Sequence, residues 1–321
     1  MKYARIDVAG TERVALVETA GVEHNLTLFP IGTDLLIAAC EHQVPPTDAP
    51  VVALSDVRLR APLMPRSFRD FVSFEEHVVG ASAMTADPAS AVELWHEQPT
   101  YLYGSPHAII DPGYPVAGLP ASSQLDFELE VGIVIGKDGR DLTPAEASDH
   151  IAGYLIVNDW SARDVQKHEM RGGLGPAKSK DFATTIGPWL VTPDELEDCR
   201  VGDRLDLRMS VFVNDSEFGS DNLAHMGWSF EELVSYASRG AWVRSGDLIA
   251  SGTCAGGSLA EAWGRSGALD PPPLSPGDVV AMKVDRLGFF SNPVVAPPAE
   301  RYKTVAATPL RDLHTLTGTT K

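Results

Sequence analysis

Basic residues are scarce in this chain: its 321 residues carry 26 Lys and Arg against 44 Asp and Glu, a formal net charge of -18. A nucleic-acid partner needs a cationic footprint, so this balance argues against one and leaves small acids only through a local basic pocket. Cysteine is scarce too. Cys40, Cys199 and Cys254 are odd in number and far apart, which suggests neither a disulfide framework nor a thiolate zinc site and reads as buried free thiols in a reducing compartment. No apolar run approaches the roughly 18 residues of a membrane span, and the start MKYARIDVAGTERVALVETA lacks the apolar core of a secretion signal. A cytoplasmic protein with no membrane partner is expected. A GxSxG elbow and a Walker sequence are also missing: GIVIGK has the wrong spacing, and GGLGP lacks both GxGxxG and its strand–helix setting. The nine histidines are scattered singly, which gives little support to a histidine metal cluster.

What the chain does have is turn material and short strands, with 28 Gly and 24 Pro. Residues 3 to 9 and 12 to 19 alternate around AGTE, as a β-hairpin does. A strand near Val51 to Leu59 and a turn near Pro65 follow, which puts a small N-terminal β-rich unit at 1–60 and the main domain at 61–321. Beyond that boundary LDFELEVGIVIG, GYLIVND, TTIGPWLVT, RLDLRMSVFVN, GDLIASGT and GDVVAMKVD read as strands. The clearest helices follow Pro144 and Trp228. So few helices between strands favour a mixed, β-rich α+β fold over a doubly wound sheet.

In LDFELEVGIVIG a strand puts Leu125, Phe127 and Leu129 on one face and Asp126, Glu128 and Glu130 on the other. Three like charges repel unless water or a cation relieves them. A solvated face is the ordinary explanation, but this one continues through Gly132, Val134 and Gly136, poor material for a wetted surface. Residues two apart on a strand lie roughly 6.6 Å apart, a gap two glutamates can close onto one ion. Oxygen ligands select a hard cation such as Mg²⁺, Mn²⁺ or Ca²⁺. Asp159, at the end of GYLIVND, is the natural third carboxylate, with a turn or helix cap as its alternative. SARDVQKHE then reads as a helix, with Ser161 and Asp164 in capping-box spacing and Arg163 and Gln166 on one face. A guanidinium, an amide and a helix start beside a cation suit an anionic, oxygen-rich substrate.

DFELE, NDWSARDVQ, KDFATTIGPW and GDLIASGT, in that order over about residues 60 to 295, resemble the fumarylacetoacetate hydrolase family. The resemblance implies a β-roll catalytic domain, commonly dimeric, in which Glu128, Glu130 and Asp159 hold Mg²⁺, Mn²⁺ or Ca²⁺. The longer, fumarylacetoacetase-like members imply Asp70 as a fourth ligand, His77, in RDFVSFEEHV, as a base oriented by Glu261, and Thr253, in the turn before that glutamate, as a substrate contact. They further imply an anion-stabilising set of Arg163, Gln166 and a lysine, Lys180 or its near neighbour Lys178. The family's substrate-contacting tyrosine is replaced by Val72; Tyr101 and Tyr103 are the candidates to supply its hydroxyl. The substrate is therefore expected to differ from fumarylacetoacetate.

The expected activity is metal-dependent hydrolysis of a carbon–carbon bond in a β-diketo acid or acylpyruvate-like substrate. Decarboxylation, isomerisation or dehydration of a keto acid is the alternative. A metal-stabilised protein that binds small acids without turnover is a third reading.

Overall fold

A computed structural model of the chain describes residues 1–20, 23–82, 88–120 and 122–301. Its largest sheet is built from β1 (Lys2–Val8), β2 (Thr11–Ala20), β3 (Glu23–Leu28), β4 (Val51–Ala53), β5 (Phe68–Phe71), β6 (Tyr101–Gly104), β7 (Leu129–Ile135), β8 (Ile151–Asp159), β9 (Thr184–Val191) and β10 (Leu248–Ala250). Their order is β4-β3-β2-β1-β9-β8-β7-β10-β5-β6, with two short strands off this path. A five-stranded sheet gathers residues 208–213, 216–222, 279–284, 288–295 and 116–117. The described residues also form α1 (Leu35–Cys40), α2 (Glu75–Ser82), α3 (Pro88–Glu97), α4 (Pro144–Ala147), α5 (Arg163–Met170), α6 (Phe230–Ser238) and α7 (Leu259–Ser266). The fold is mixed and β-rich, as the strand-dominated sequence implies.

Local chemistry sets several boundaries. The expected hairpin forms as β1 and β2, paired in register from Tyr3↔Leu16 to Val8↔Thr11. The helices after Pro144 and Trp228 both open on capping boxes, Thr143 with Glu146 and Ser229 with Glu232, each satisfying backbone donors that a helix start leaves free. The strand expected near Val51 to Leu59 is interrupted by a 3₁₀ turn at Leu54–Asp56. β1 also pairs with β9, through Lys2↔Val191 and Tyr3↔Leu190, so residues 1–60 and the later chain share one sheet.

β7 and β8 are buried along their whole length because both faces of the sheet are covered. One face packs Phe71, Val131, Ile133, Ile135 and Ile156 into the larger core. The other packs Phe68, Val134, Val157, Ile186 and Leu248 into a second. Strand alternation puts Asp70, Glu130, Asp159 and Thr184 on this second face, beyond the apolar residues of their own strands. The carboxylates thus sit at the polar end of a closed apolar layer.

The thiols depart from the expectation of burial. Cys254 is buried, Cys199 is half-buried and Cys40 is exposed, because the stripe of α1 facing the core is Leu35, Ala38 and Ala39. Among the described residues no helix is long and apolar enough to cross a membrane.

Candidate active site

The acidic stretch 125–135 is not one strand. Leu125–Asp126 pairs with a short strand at Ser161–Ala162, Phe127 and Glu128 lie between strands, and β7 begins at Leu129. The backbone N–H of Glu128 donates to the Asn158 side-chain oxygen, and the Asp159 N–H donates to the Glu128 carbonyl. Across this break Asp126 and Glu128 both bond one guanidinium, that of Arg163. Asp126, Glu128 and Glu130 are all buried, which removes the solvated-face reading.

Asp70, Glu128 and Glu130 each offer an oxygen within 4.8 Å of the others. Asp70 Oδ1 and Glu130 Oε2 are buried without a hydrogen-bond partner, while Glu130 Oε1 accepts from the Thr253 hydroxyl at 3.3 Å. Thr253 reaches it because the preceding Gly252 has φ +77° and passes so close to β5 that a Cβ would lie 2.1 Å from the Phe71 carbonyl oxygen. Burial pushes Asp70 and Glu130 well above the usual carboxylate range, and repulsion from neighbouring acids adds to it. Asp159 adjoins the cluster and shares Lys180 with Glu128. Its Oδ2 accepts from Lys180 Nζ at 2.5 Å and its Oδ1 from Thr184 at 3.2 Å. Burial raises Asp159 against the pull of Lys180. For Glu128, burial acts upward, but Lys180, Arg163 and His77 outweigh it and hold the carboxyl at about 2.

Lys180, not Lys178, is the lysine of the site: Lys180 is buried, whereas Lys178 is exposed and pairs with Asp181. Burial acts to lower the Lys180 ammonium, but Asp159 and Glu128 raise it above its ordinary value. Arg163 donates through Nε to Asp126 at 2.8 Å, through Nη2 to Glu128 at 2.6 Å and through Nη1 to Gln166 at 2.9 Å. Charge-assisted bonds to three partners fix its plane. The expected Ser161–Asp164 capping box does not form. Ser161 lies in a strand and donates to the Asp159 carbonyl, α5 starts after Ala162, and Asp164 instead accepts from Ser122 and Ser123.

His77, on α2, is buried, and its Nδ1 lies 2.9 Å from Glu261 Oε1 on α7. Glu261 Oε2 accepts from the Gly256 N–H at 2.9 Å and from Arg265 at 3.0 Å. The geometry leaves the other imidazole nitrogen for a reacting group.

Tyr101 and Tyr103 lie on the wrong face for the expected substrate contact. β6 pairs Leu102 with Asp70, so the two tyrosines share the face of their partners Phe71 and Arg69. Tyr101 packs on Phe71 with ring centroids 4.8 Å apart, and Arg69 sits 5.8 Å from the Tyr103 ring.

Sequence reasoning missed the tie between Asp126 and α7. Asp126 Oδ1 accepts from the Leu259 N–H at 2.8 Å and Oδ2 from the Ala260 N–H at 3.0 Å. The signal was the first acid of DFELE, Asp126, which had no role, and the apolar spacing within SLAEAWG.

Comparison with known proteins points to one family. Residues 66–295 match the family described as fumarylacetoacetate (FAA) hydrolase C-terminal. The chain is 30% identical over 247 residues to oxaloacetate tautomerase YisK of Bacillus subtilis (strain 168), covering 75% of this chain and 74% of that protein. It is 29% identical over 263 residues to maleylpyruvate hydrolase of Aquipseudomonas alcaligenes, covering 80% and 82%. The chain spans 58% of the length of the fumarylacetoacetases it matches in Dictyostelium discoideum and Arabidopsis thaliana. Among solved structures, fumarylacetoacetate hydrolase from psychrophilic Exiguobacterium antarcticum superposes with a TM-score of 0.70 at 28% identity, covering 92% of this chain and 99% of that one. With the match running through every segment that builds the acidic cluster, this chain belongs to the fumarylacetoacetate hydrolase family.

Proposed function

We propose that this protein is a divalent-metal-dependent hydrolase that cleaves the carbon–carbon bond of an acylpyruvate or related β-diketo acid. The observation that carries the reading is the buried His77–Glu261 pair at 2.9 Å, beside carboxylates with orphaned oxygens. Such oxygens, with no thiol or imidazole among them, fit a hard cation. Asp70, Glu128, Glu130 and Asp159 would hold it, and when bound it supplies Lewis acidity and a template for two substrate oxygens.

Glu261 accepts from Nδ1–H of His77, which fixes the tautomer with Nε2 free as base. Nε2 takes a proton from water, and the hydroxide adds to the acyl carbonyl carbon. The bond between that carbon and the methylene then breaks, its electron pair passing to the methylene as the enolate of pyruvate. The proton held on His77 returns to the carbanion. The balance is R–CO–CH₂–CO–COO⁻ + H₂O giving R–COOH and CH₃–CO–COO⁻. Lys180 uses two of its three donors on Glu128 and Asp159 and keeps one for developing negative charge. Arg163 holds Glu128 and Gln166 in place around that charge.

The identity to an oxaloacetate tautomerase favours one second reading, in which the same base moves a proton between carbon and oxygen without water. One assay separates the two. Purified protein with Mn²⁺ is given a series of acylpyruvates and oxaloacetate, following ultraviolet loss of the enol and pyruvate release together. Hydrolysis predicts equimolar pyruvate for every enol lost from an acylpyruvate. Enol loss from oxaloacetate, with no pyruvate formed from any acylpyruvate, would establish the tautomerase instead.

A further inference from the structure

Asp126 is completely buried and shares no hydrogen bond with the orphaned oxygens of the acidic cluster. Every bond to its carboxylate comes from an N–H donor. Oδ1 accepts from Phe127 at 2.7 Å and Leu259 at 2.8 Å, and Oδ2 from Ala260 at 3.0 Å and Arg163 at 2.8 Å. Leu259 and Ala260 open α7. The residue at the cap of that helix, Ser258, is of a type that normally satisfies these amides, yet its hydroxyl makes no cap bond and is buried without a partner. Asp126 therefore caps α7 from across the chain, a placement favoured by the helix dipole. The next residue of α7 is Glu261.

One carboxylate thus holds both halves of the site. Through Arg163 it reaches Glu128, which belongs to the acidic cluster. Through two α7 amides it fixes the backbone that aims Glu261 at His77. We infer that Asp126 is a positioning residue that couples the cation-holding half of the site to the water-activating half. It touches neither water nor substrate. A helix start capped by its own serine would hold α7 equally well but would leave Arg163 unconnected to it.

This inference rests on the hydrolase reading for the role of Glu261, so the test reads each separately. Asp126→Asn, Glu261→Gln and Arg163→Lys are compared singly, and Asp126→Asn is combined with each of the others. Turnover of an acylpyruvate and Mn²⁺ affinity by calorimetry are both measured. Asp126→Asn should lower kcat roughly 10- to 100-fold, the usual range for residues that support a metal site from behind, with KM changed by less than about threefold. Mn²⁺ affinity should weaken as well, through Arg163 and Glu128. On top of Glu261→Gln or Arg163→Lys it should cost less than about threefold more, since residues acting as a unit are non-additive. Full multiplication in both backgrounds, or near-native turnover and Mn²⁺ affinity in the single variant, would overturn the coupling. A merely structural residue would lower thermal stability and multiply its loss in every background. Native activity in Glu261→Gln would sink the hydrolase reading alone, leaving the Mn²⁺ affinity of Asp126→Asn to judge the Arg163 arm. If Asp126→Asn does not fold, Ala260→Pro takes its place. It deletes one α7 amide in a first turn that tolerates proline. It should cut turnover about threefold or more with Mn²⁺ affinity unchanged, and native turnover would refute the α7 arm.

Discussion

Asp126 and Glu130 stand four residues apart on one segment, both completely buried, and their surroundings are opposite. Asp126 accepts from four N–H donors and completes a helix, an arginine and its own turn. Glu130 has a threonine hydroxyl on one oxygen and nothing on the other, with Asp70 beside it carrying a second orphan. Burying an ionised carboxylate is expensive unless it is paired and hydrogen-bonded. The first acid meets that condition within the protein, so it is architecture. The second does not: burial raises its carboxyl and leaves one oxygen unpartnered among three acids, a donor set that fits a hard cation.

The severest way to break this comparison is to remove the ion. Chelator-treated protein should lose all measurable turnover and regain it with Mg²⁺ or Mn²⁺, and Glu130→Gln should weaken Mn²⁺ binding in calorimetry. Full activity after exhaustive chelation, with no metal detected by elemental analysis, would place Glu130 in the same class as Asp126.

Next in size is His77→Ala, which should cost roughly 10²- to 10⁴-fold in rate. Mn²⁺ binding should persist, because no ligand is lost. A variant that keeps most of its turnover would move the tautomerase reading ahead. Arg163→Lys keeps the charge but not the planar fork that meets Asp126, Glu128 and Gln166 together. Its expected loss is about 2.7 to 4 kcal/mol of transition-state stabilisation, read as a 10²- to 10³-fold fall in kcat. Near-native turnover would show that Arg163 is peripheral. The smallest effect is expected of Tyr103→Phe. Its ring lies on the sheet face away from Asp70, so steady-state rates should stay within about twofold, as for surface changes generally. A large rise in KM would show that the ring reaches substrate.

Much of this was legible in the sequence because it rests on short-range pattern. The alternation of DFELE placed three acids on one side, and NDWSARDVQ supplied Asp159, Arg163 and Gln166 in one short run. Asp70 and His77 came only through the family resemblance, since a lone histidine in a helical pattern reads as a surface residue. What was hidden depends on register and long-range pairing. Nothing local to PTYLYGSPH says that Leu102, rather than a tyrosine, pairs with Asp70. Ser161 and Asp164 have capping-box spacing, but pairing of Ser161–Ala162 with Leu125–Asp126 pulls the serine into a strand. The cap of α7 comes from a residue 133 positions away, beyond any helix-start rule.

The central claim, that the Asp70–Glu130 pair is built for a divalent cation, has its most direct test in thermal unfolding of chelator-treated and Mn²⁺-loaded protein across pH. Both carboxyls are raised in the metal-free fold, so the folded state holds more protons than the unfolded chain. Stability must then fall as pH rises from the ordinary carboxylate value through the raised one. A bound cation displaces those protons and reverses the trend. The account predicts that Mn²⁺ raises Tm, and that the gap between loaded and metal-free protein widens as pH rises above the ordinary carboxylate range. An unchanged Tm with Mn²⁺ at every pH would contradict it.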